Sequence, residues 1–243
     1  MIIAIWGRDG IGKSALCDTL GALLAKQGVT AILDTDLTQP TLPARLGGKK
    51  LDADASLGKA IGMSAMDAAP YLHQHPKLKN LFYAGLTDRD EYLSYEFGLE
   101  VDEAAQIFVE RCEELADTVI IDLSGQRCDP FLPGALIYAD KIITLFTPDV
   151  QGVCWFNGIK HLLTTMNAQG RVLPVAAMAD QQQLSAIEKA MDARFTAVLP
   201  YVREFRQIHD TGAFPTEGAT PGAVRYLREA KKLCGLLKGV DEQ

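Results

Sequence analysis

The sequence predicts an α/β protein built on a doubly wound, mostly parallel sheet with helices on both faces. Three observations predict it. Short apolar runs alternate with stretches of helical periodicity along most of the 243 residues. The runs are continuous rather than alternating in polarity, as in strands buried on both faces. A glycine-rich turn, "GRDGIGKS" at 7–14, stands between the first run and the first helical stretch.

Taken in order, "IIAIW" (2–6) reads as the first strand and "KSALCDTLGALLAKQG" (13–28) as a helix closed by Gly28. "VTAILD" (29–34) is a β-branched second strand. Residues 38–79 are the least regular, with "TQPTLPARLGGKK" followed by a helix-like pattern over 55–76. "NLFYAGL" (80–86) is a further strand. "TVIID" (118–122) follows a helix at 101–115, and "KIITLF" (141–146) a short one at 131–139. "RVLPVAAM" (171–178) follows a helix near 151–167, and "FTAVLP" (195–200) one near 181–192. Helices near 203–210 and 221–238 close the chain. No repeat, linker or low-complexity tract divides it, so one domain is expected over 1–243.

Composition narrows the function. Hydrophobic residues make up 48% and charged residues 23%, which suits a globule with a real core. The net charge of −7 argues against general nucleic-acid binding, and no clear basic cluster is visible. No apolar run approaches the roughly 18–20 residues that span a bilayer. The start, "MIIAIWGRDG", has no basic region or cleavage pattern of a signal peptide. Five widely spaced cysteines without a Cys-x-x-Cys read as reduced, structural and cytoplasmic. His73, His75, His161 and His209 have no metal spacing.

In an open α/β sheet, ligands bind beyond the carboxyl ends of the strands. After the first strand, Gly7, Gly10, Ile11, Gly12, Lys13, Ser14 and Ala15 form a candidate phosphate loop. Its glycines let backbone N–H groups approach an anion, Lys13 supplies a cation for the terminal phosphates, and the Ser14 hydroxyl suits Mg²⁺. The helix that follows points its N-terminus at the same place. After the second strand, Asp34 and Asp36 stand two apart, in position to hold metal or water. "TVIID" ends in Asp122 in the form of a Walker B segment, whose carboxylate holds Mg²⁺ through its water shell. Gly125 lets the next loop swing toward a γ-phosphate.

With these segments placed, the chain resembles the deviant-Walker P-loop ATPases of the MinD/ParA family, closest to the MinD branch with its TadZ/CpaE- and FlhG-type relatives. "ILDTDLTQPTLPARLGG", "KNLFYAGLT", "TVIIDLSG", "IYADKIITLFTPDVQGV" and "AVLPYVREFRQIHDTGAFP" resemble the family's segments in order and spacing. The resemblance implies an ATP-dependent switch with Mg²⁺, in which two subunits close face to face around ATP, hydrolyse it slowly and reset to ADP. It assigns loop roles to Lys13 and Ser14, water positioning to Asp36, the Walker B role to Asp122, and an adenine-holding place to Pro200, Tyr201 and Val202. It implies a nucleotide-dependent homodimer, a protein partner, and a place at a membrane or cell pole through that partner.

Three departures qualify it. Arg8 stands where the family has its signature lysine, and an arginine reaching a partner's phosphates would preserve that catalytic role. Asp9 replaces a glycine. It is expected to point away from phosphate, either holding an arginine such as Arg8 or lying in solvent on the outer rim. "VAAMAD" lacks the family's base-reading asparagine, so base selectivity is weak. Cys128 lies just past the Walker B segment without a companion, so no cluster is expected.

The tail carries Val224, Leu227, Leu233 and Leu237 on one face with Arg225, Arg228, Lys231 and Lys232, and is expected to cover the sheet rather than bind membrane. Trp155 and Phe156 are expected in the core or a dimer surface. Two rival functions remain: a hydrolysis-deficient nucleotide-bound scaffold dimer, and a small-molecule synthetase or kinase on the same fold, which would need a second pocket near 38–79.

Overall fold

The computed structural model describes residues 1–90, 100–126, 128–179, 184–205 and 220–239. Strands β1 (Ile2–Gly7), β2 (Thr30–Asp34), β3 (His73–Gln74), β4 (Leu81–Ala84), β5 (Thr118–Asp122), β6 (Lys141–Phe146), β7 (Val172–Ala176) and β8 (Ala197–Val198) form one sheet. Their order is β3-β4-β2-β5-β1-β6-β7-β8. All neighbours run parallel except β3, which pairs antiparallel with β4 through His73↔Tyr83 and Gln74↔Phe82. From β1 the chain runs to one side through β2 and β4, returns to insert β5 beside β1, and then builds β6 to β8 on the other side. The ends of β1, β2 and β5 therefore open onto one crevice, at the switch point of the winding.

Helices α1 (Lys13–Leu24), α2 (Leu42–Arg45), α3 (Leu57–Gly62), α4 (Val101–Leu115), α5 (Phe131–Tyr138), α6 (Val150–Thr165), α7 (Leu184–Met191) and α8 (Pro221–Leu237) supply the outer layers. The strand period of two divides β1 between the layers. Ile3 and Ile5 meet Leu16 and Leu20 of α1 and Tyr226, Ala230 and Leu233 of α8. Ala4 and Trp6 meet the other core, with Phe108 and Cys112 of α4 and Phe156, Ile159 and Leu163 of α6.

The apolar runs match the strands to within a few residues, with α4 at the expected bounds. Residues 55–76 differ: the expected long helix stops at Gly62. Ser64 then turns at φ 49°, Asp67 accepts from Ala69 N, and a short 3-10 turn, Ala69–Tyr71, leads into β3. Pro70 and this local turn outweigh the apolar spacing. β4, from "NLFYAGL", is covered at its outer side by the two-residue β3, which takes the edge of the sheet there. The helix expected near 203–210 lies mostly outside the described residues, as do His209 and most of "AVLPYVREFRQIHDTGAFP" beyond 205.

On α8 the buried face is Ala223, Tyr226, Ala230, Leu233 and Leu237, at alternating spacings of three and four. Leu233 and Leu237 are buried as expected. Val224 instead faces out and Leu227 is half-buried. Among the described residues no helix is long and apolar enough to cross a membrane. Phe156 is buried, and Trp155 lies edge-on to Trp6 with centroids 5.3 Å apart. All five cysteines are free thiols. Burial pushes the Cys112 thiol up to about 12, as befits a structural side chain.

Candidate nucleotide site

The loop leaves the buried strand β1 and turns into α1 through Gly10 at φ 74° and Gly12 at φ 91°, left-handed conformations that other residues rarely adopt. No side chain caps α1, so its first N–H groups remain available to an anion. Lys13 is 8% exposed, and its ammonium lies inside the loop, donating to Arg8 O at 2.9 Å and Asp9 Oδ1 at 3.0 Å.

A cleft of about 710 Å³ opens over the loop. Gly10, Ile11, Gly12, Lys13, Ser14 and Ala15 form its floor. Asp34, Asp36 and Asp122 stand at one end; Pro200, Tyr201 and Val202 stand at the other. The second end is apolar, with Ala177, Met178, Leu199 and Phe205 beside them. Met178, within "VAAMAD", turns at φ 52°, an unusual conformation for its residue type. A polar floor and an apolar wall suit a phosphate chain joined to a planar base. Of the expected site residues, Gly7 and Arg8 lie outside this lining. Gly7 closes β1 against Leu145, and Arg8 donates to Gln151 Oε1 of α6 at 2.8 Å.

Asp9 corrects the sequence reading. Its carboxylate does not hold Arg8, and although the side chain is largely exposed it is not free: Oδ1 accepts from Lys13 and from Gly125 N at 2.9 Å.

Arg45 is the residue that sequence reasoning missed. It projects from α2 into the interior among three carboxylates, only 8% exposed. Nη2 donates to Asp122, Nη1 to Asp18 Oδ1 at 3.4 Å, and Nε lies 3.5 Å from Asp34 Oδ2. Tyr83 donates its hydroxyl to Asp18 at 3.0 Å, and Thr41 donates to Asp34. Three acids share one guanidinium, so the cluster keeps an excess of negative charge. Burial accordingly pushes the Asp34 carboxyl up to about 6, with Arg45 opposing the rise and Asp122 adding to it.

Beside this cluster, Asp36 accepts from Thr38 N at 2.9 Å and Thr38 Oγ1 at 2.5 Å. Asp129, also unforeseen, is buried and accepts from Thr35 Oγ1 at 2.5 Å, Ser124 N at 2.8 Å and Phe131 N at 2.9 Å. It ties the loop after β5 to the end of β2. Burial raises its carboxyl above the usual range, against those hydrogen bonds.

The residues fit a nucleotide. For Mg²⁺ they fit an ion carried in with phosphate rather than a ready cage. Among the described residues no group of three or more His, Cys, Asp or Glu is arranged to hold a metal. Ser14, Asp36 and Asp122 line the one cleft, and the uncompensated charge around Arg45 favours a cation there.

No family model matches the chain, and no curated protein matches it. Solved structures do. The septum site-determining protein MinD complexed with Mg-ADP, from Pyrococcus horikoshii OT3, aligns with TM-score 0.78 at 15% identity, over 100% of this chain and 99% of that one. A putative plasmid partition protein from Borrelia burgdorferi B31 bound to AMPPNP aligns with TM-score 0.79 at 15% identity, over 98% of each chain. The Pyrococcus furiosus cell division ATPase MinD aligns with TM-score 0.77 at 18% identity, over 97% and 98%. The fold is the MinD/ParA P-loop NTPase fold that the resemblance of the five sequence segments implies.

Proposed function

We propose that the chain is an ATP-binding, slowly hydrolysing dimerisation switch that positions or assembles a cellular machine of the pilus or secretion, division or partition type. The supporting observation is that the phosphate loop, Asp36 and Asp122, widely separated in sequence, line one cleft with an apolar wall for a base. In this reading Gly10 to Ala15 hold the phosphates. Lys13 neutralises their charge, and Asp36 orients the attacking water. Pro200, Tyr201 and Val202 hold the base. Bound Mg²⁺, held by Ser14 and by Asp36 and Asp122 through water, would offset charge on the phosphates. Arg8, outside the cleft lining and bonded to Gln151 in the single subunit, reaches a facing copy and stabilises its phosphates. Likenesses to proteins whose solved complexes hold Mg-ADP and AMPPNP agree with nucleotide as the ligand. The protein then works in the cytoplasm, or peripherally at a membrane or cell pole, through a protein partner.

The test is the mass of the particle in solution without nucleotide, with Mg-ADP and with Mg-ATP, for the native chain and Lys13→Ala. Dimerisation by ATP alone, lost in Lys13→Ala, supports the switch. A dimer in every state supports a second reading, a nucleotide-bound scaffold that does not hydrolyse ATP. The engagement of Lys13 by Asp9 favours that alternative.

A further inference from the structure

We propose that Asp9 determines nucleotide specificity: its carboxylate occupies the place of a terminal phosphate and biases the site toward a nucleoside diphosphate. The inference rests on the nucleotide-site reading and deepens it.

One oxygen of Asp9 accepts from two donors, Lys13 Nζ at 3.0 Å and Gly125 N at 2.9 Å. A phosphate-loop lysine serves the β- and γ-phosphates. Gly125 lies on the loop after β5, at the end of the cleft where the γ-phosphate would face the acids. An ammonium and a backbone N–H converging on one anionic oxygen make the coordination that a terminal phosphate oxygen takes. The approach also depends on glycine at 125. A Cβ added there would lie 2.4 Å from Asp9 Oδ1 and 2.6 Å from its Cγ.

The contact is displaceable. The Asp9 side chain is 70% exposed, so only its tip is held, whereas Lys13 is 8% exposed and fixed within the loop. A rotamer change carries the carboxylate into water while the lysine stays. A diphosphate ends short of the contested position and binds with Asp9 in place. A triphosphate brings a second anion to the same two donors and has to expel the first. Asp9 thus competes with the γ-phosphate for both donors, and with the β-phosphate for Lys13 alone.

Calorimetric titration with Mg-ADP and with the non-hydrolysable Mg-AMPPNP, on the native chain, Asp9→Asn and Asp9→Ser, tests this. Both substitutions should raise the affinity for AMPPNP relative to ADP by about tenfold or more, with ADP itself strengthened by a smaller factor through the freed Lys13. Thermal unfolding of the exposed-site variants should match the native chain and serves as the folding control. Equal shifts for both nucleotides, or no shift, would overturn the specificity role while leaving the site reading intact. Failure of every variant to bind either nucleotide would overturn the site reading and this inference together.

Discussion

Arg45 donates to the carboxylate of Asp122, joining α2 to the end of β5 across 77 residues of sequence. The same guanidinium reaches Asp18 on α1 and Asp34 on β2, so one side chain fastens three elements around the phosphate loop. Removing the cation leaves three buried carboxylates facing one another. Arg45→Met should cost about 3–5 kcal/mol of stability, read from urea unfolding. A variant as stable as the native chain would mean that the acids relax apart or protonate freely.

Asp34 makes the same cluster sensitive to pH. Its ordinary value of 3.8 is raised to about 6 by burial, so the folded chain binds this proton more tightly than the unfolded chain. The resulting stabilisation is fully present below about pH 3.8 and is lost as pH rises through about 6. Asp34→Asn should therefore show a flatter stability profile across that window, with the gap between the two chains changing by up to ~3 kcal/mol. Parallel profiles would show that Asp34 titrates alike in both states.

Lys13→Ala should weaken Mg-ADP binding by about 10- to 100-fold, the worth of a charge-assisted contact to phosphate. Arg8→Ala should leave ADP binding to the single subunit intact and abolish dimerisation driven by Mg-ATP. Calorimetry and particle mass separate the two roles. Loss of ADP binding in Arg8→Ala would place the arginine on its own subunit's phosphates.

The α8 helix offers a separate test. Leu233 is fully buried against β1 and α1, so Leu233→Ala should cost about 2–5 kcal/mol. Lys231→Gln and Lys232→Gln, on the exposed side, should stay within about 0.5 kcal/mol. The native chain should not sediment with anionic lipid vesicles. Sedimentation reduced by the lysine substitutions would instead assign the helix to a membrane surface.

The parts legible in the sequence are those set by neighbouring residues. Continuous apolar runs marked β1, β2, β5 and β6 because strands buried on both faces carry no polar alternation. The spacing of Gly7, Gly12 and Lys13 marked the loop because backbone geometry demands those residue types there. Arg45 was not legible. Within "TLPARLGG" it reads as one cation in a polar, proline-containing loop, and its three acids lie 27, 11 and 77 positions away, so only the fold shows that it is buried. The contact of Asp9 with Gly125 was not legible for the same reason, since the two stand 116 residues apart. Two residues of β3 are too few to display a period, and the helical spacing over 55–76 was overruled by the turn at Ser64.

Trp6 and Trp155 have a use beyond packing. They are the only two tryptophans in the chain, and their rings meet edge to face. Trp6 stands two residues before Arg8 on the strand that becomes the loop. Trp155 stands four residues after Gln151, the partner of Arg8, one turn along α6. The intrinsic emission of the unlabelled protein therefore originates beside the Arg8–Gln151 contact that joins the end of β1 to α6. Any rearrangement that pulls Arg8 from Gln151 alters the environment of both rings, giving an optical signal that can be followed in a stopped-flow cell on the time scale of the motion itself.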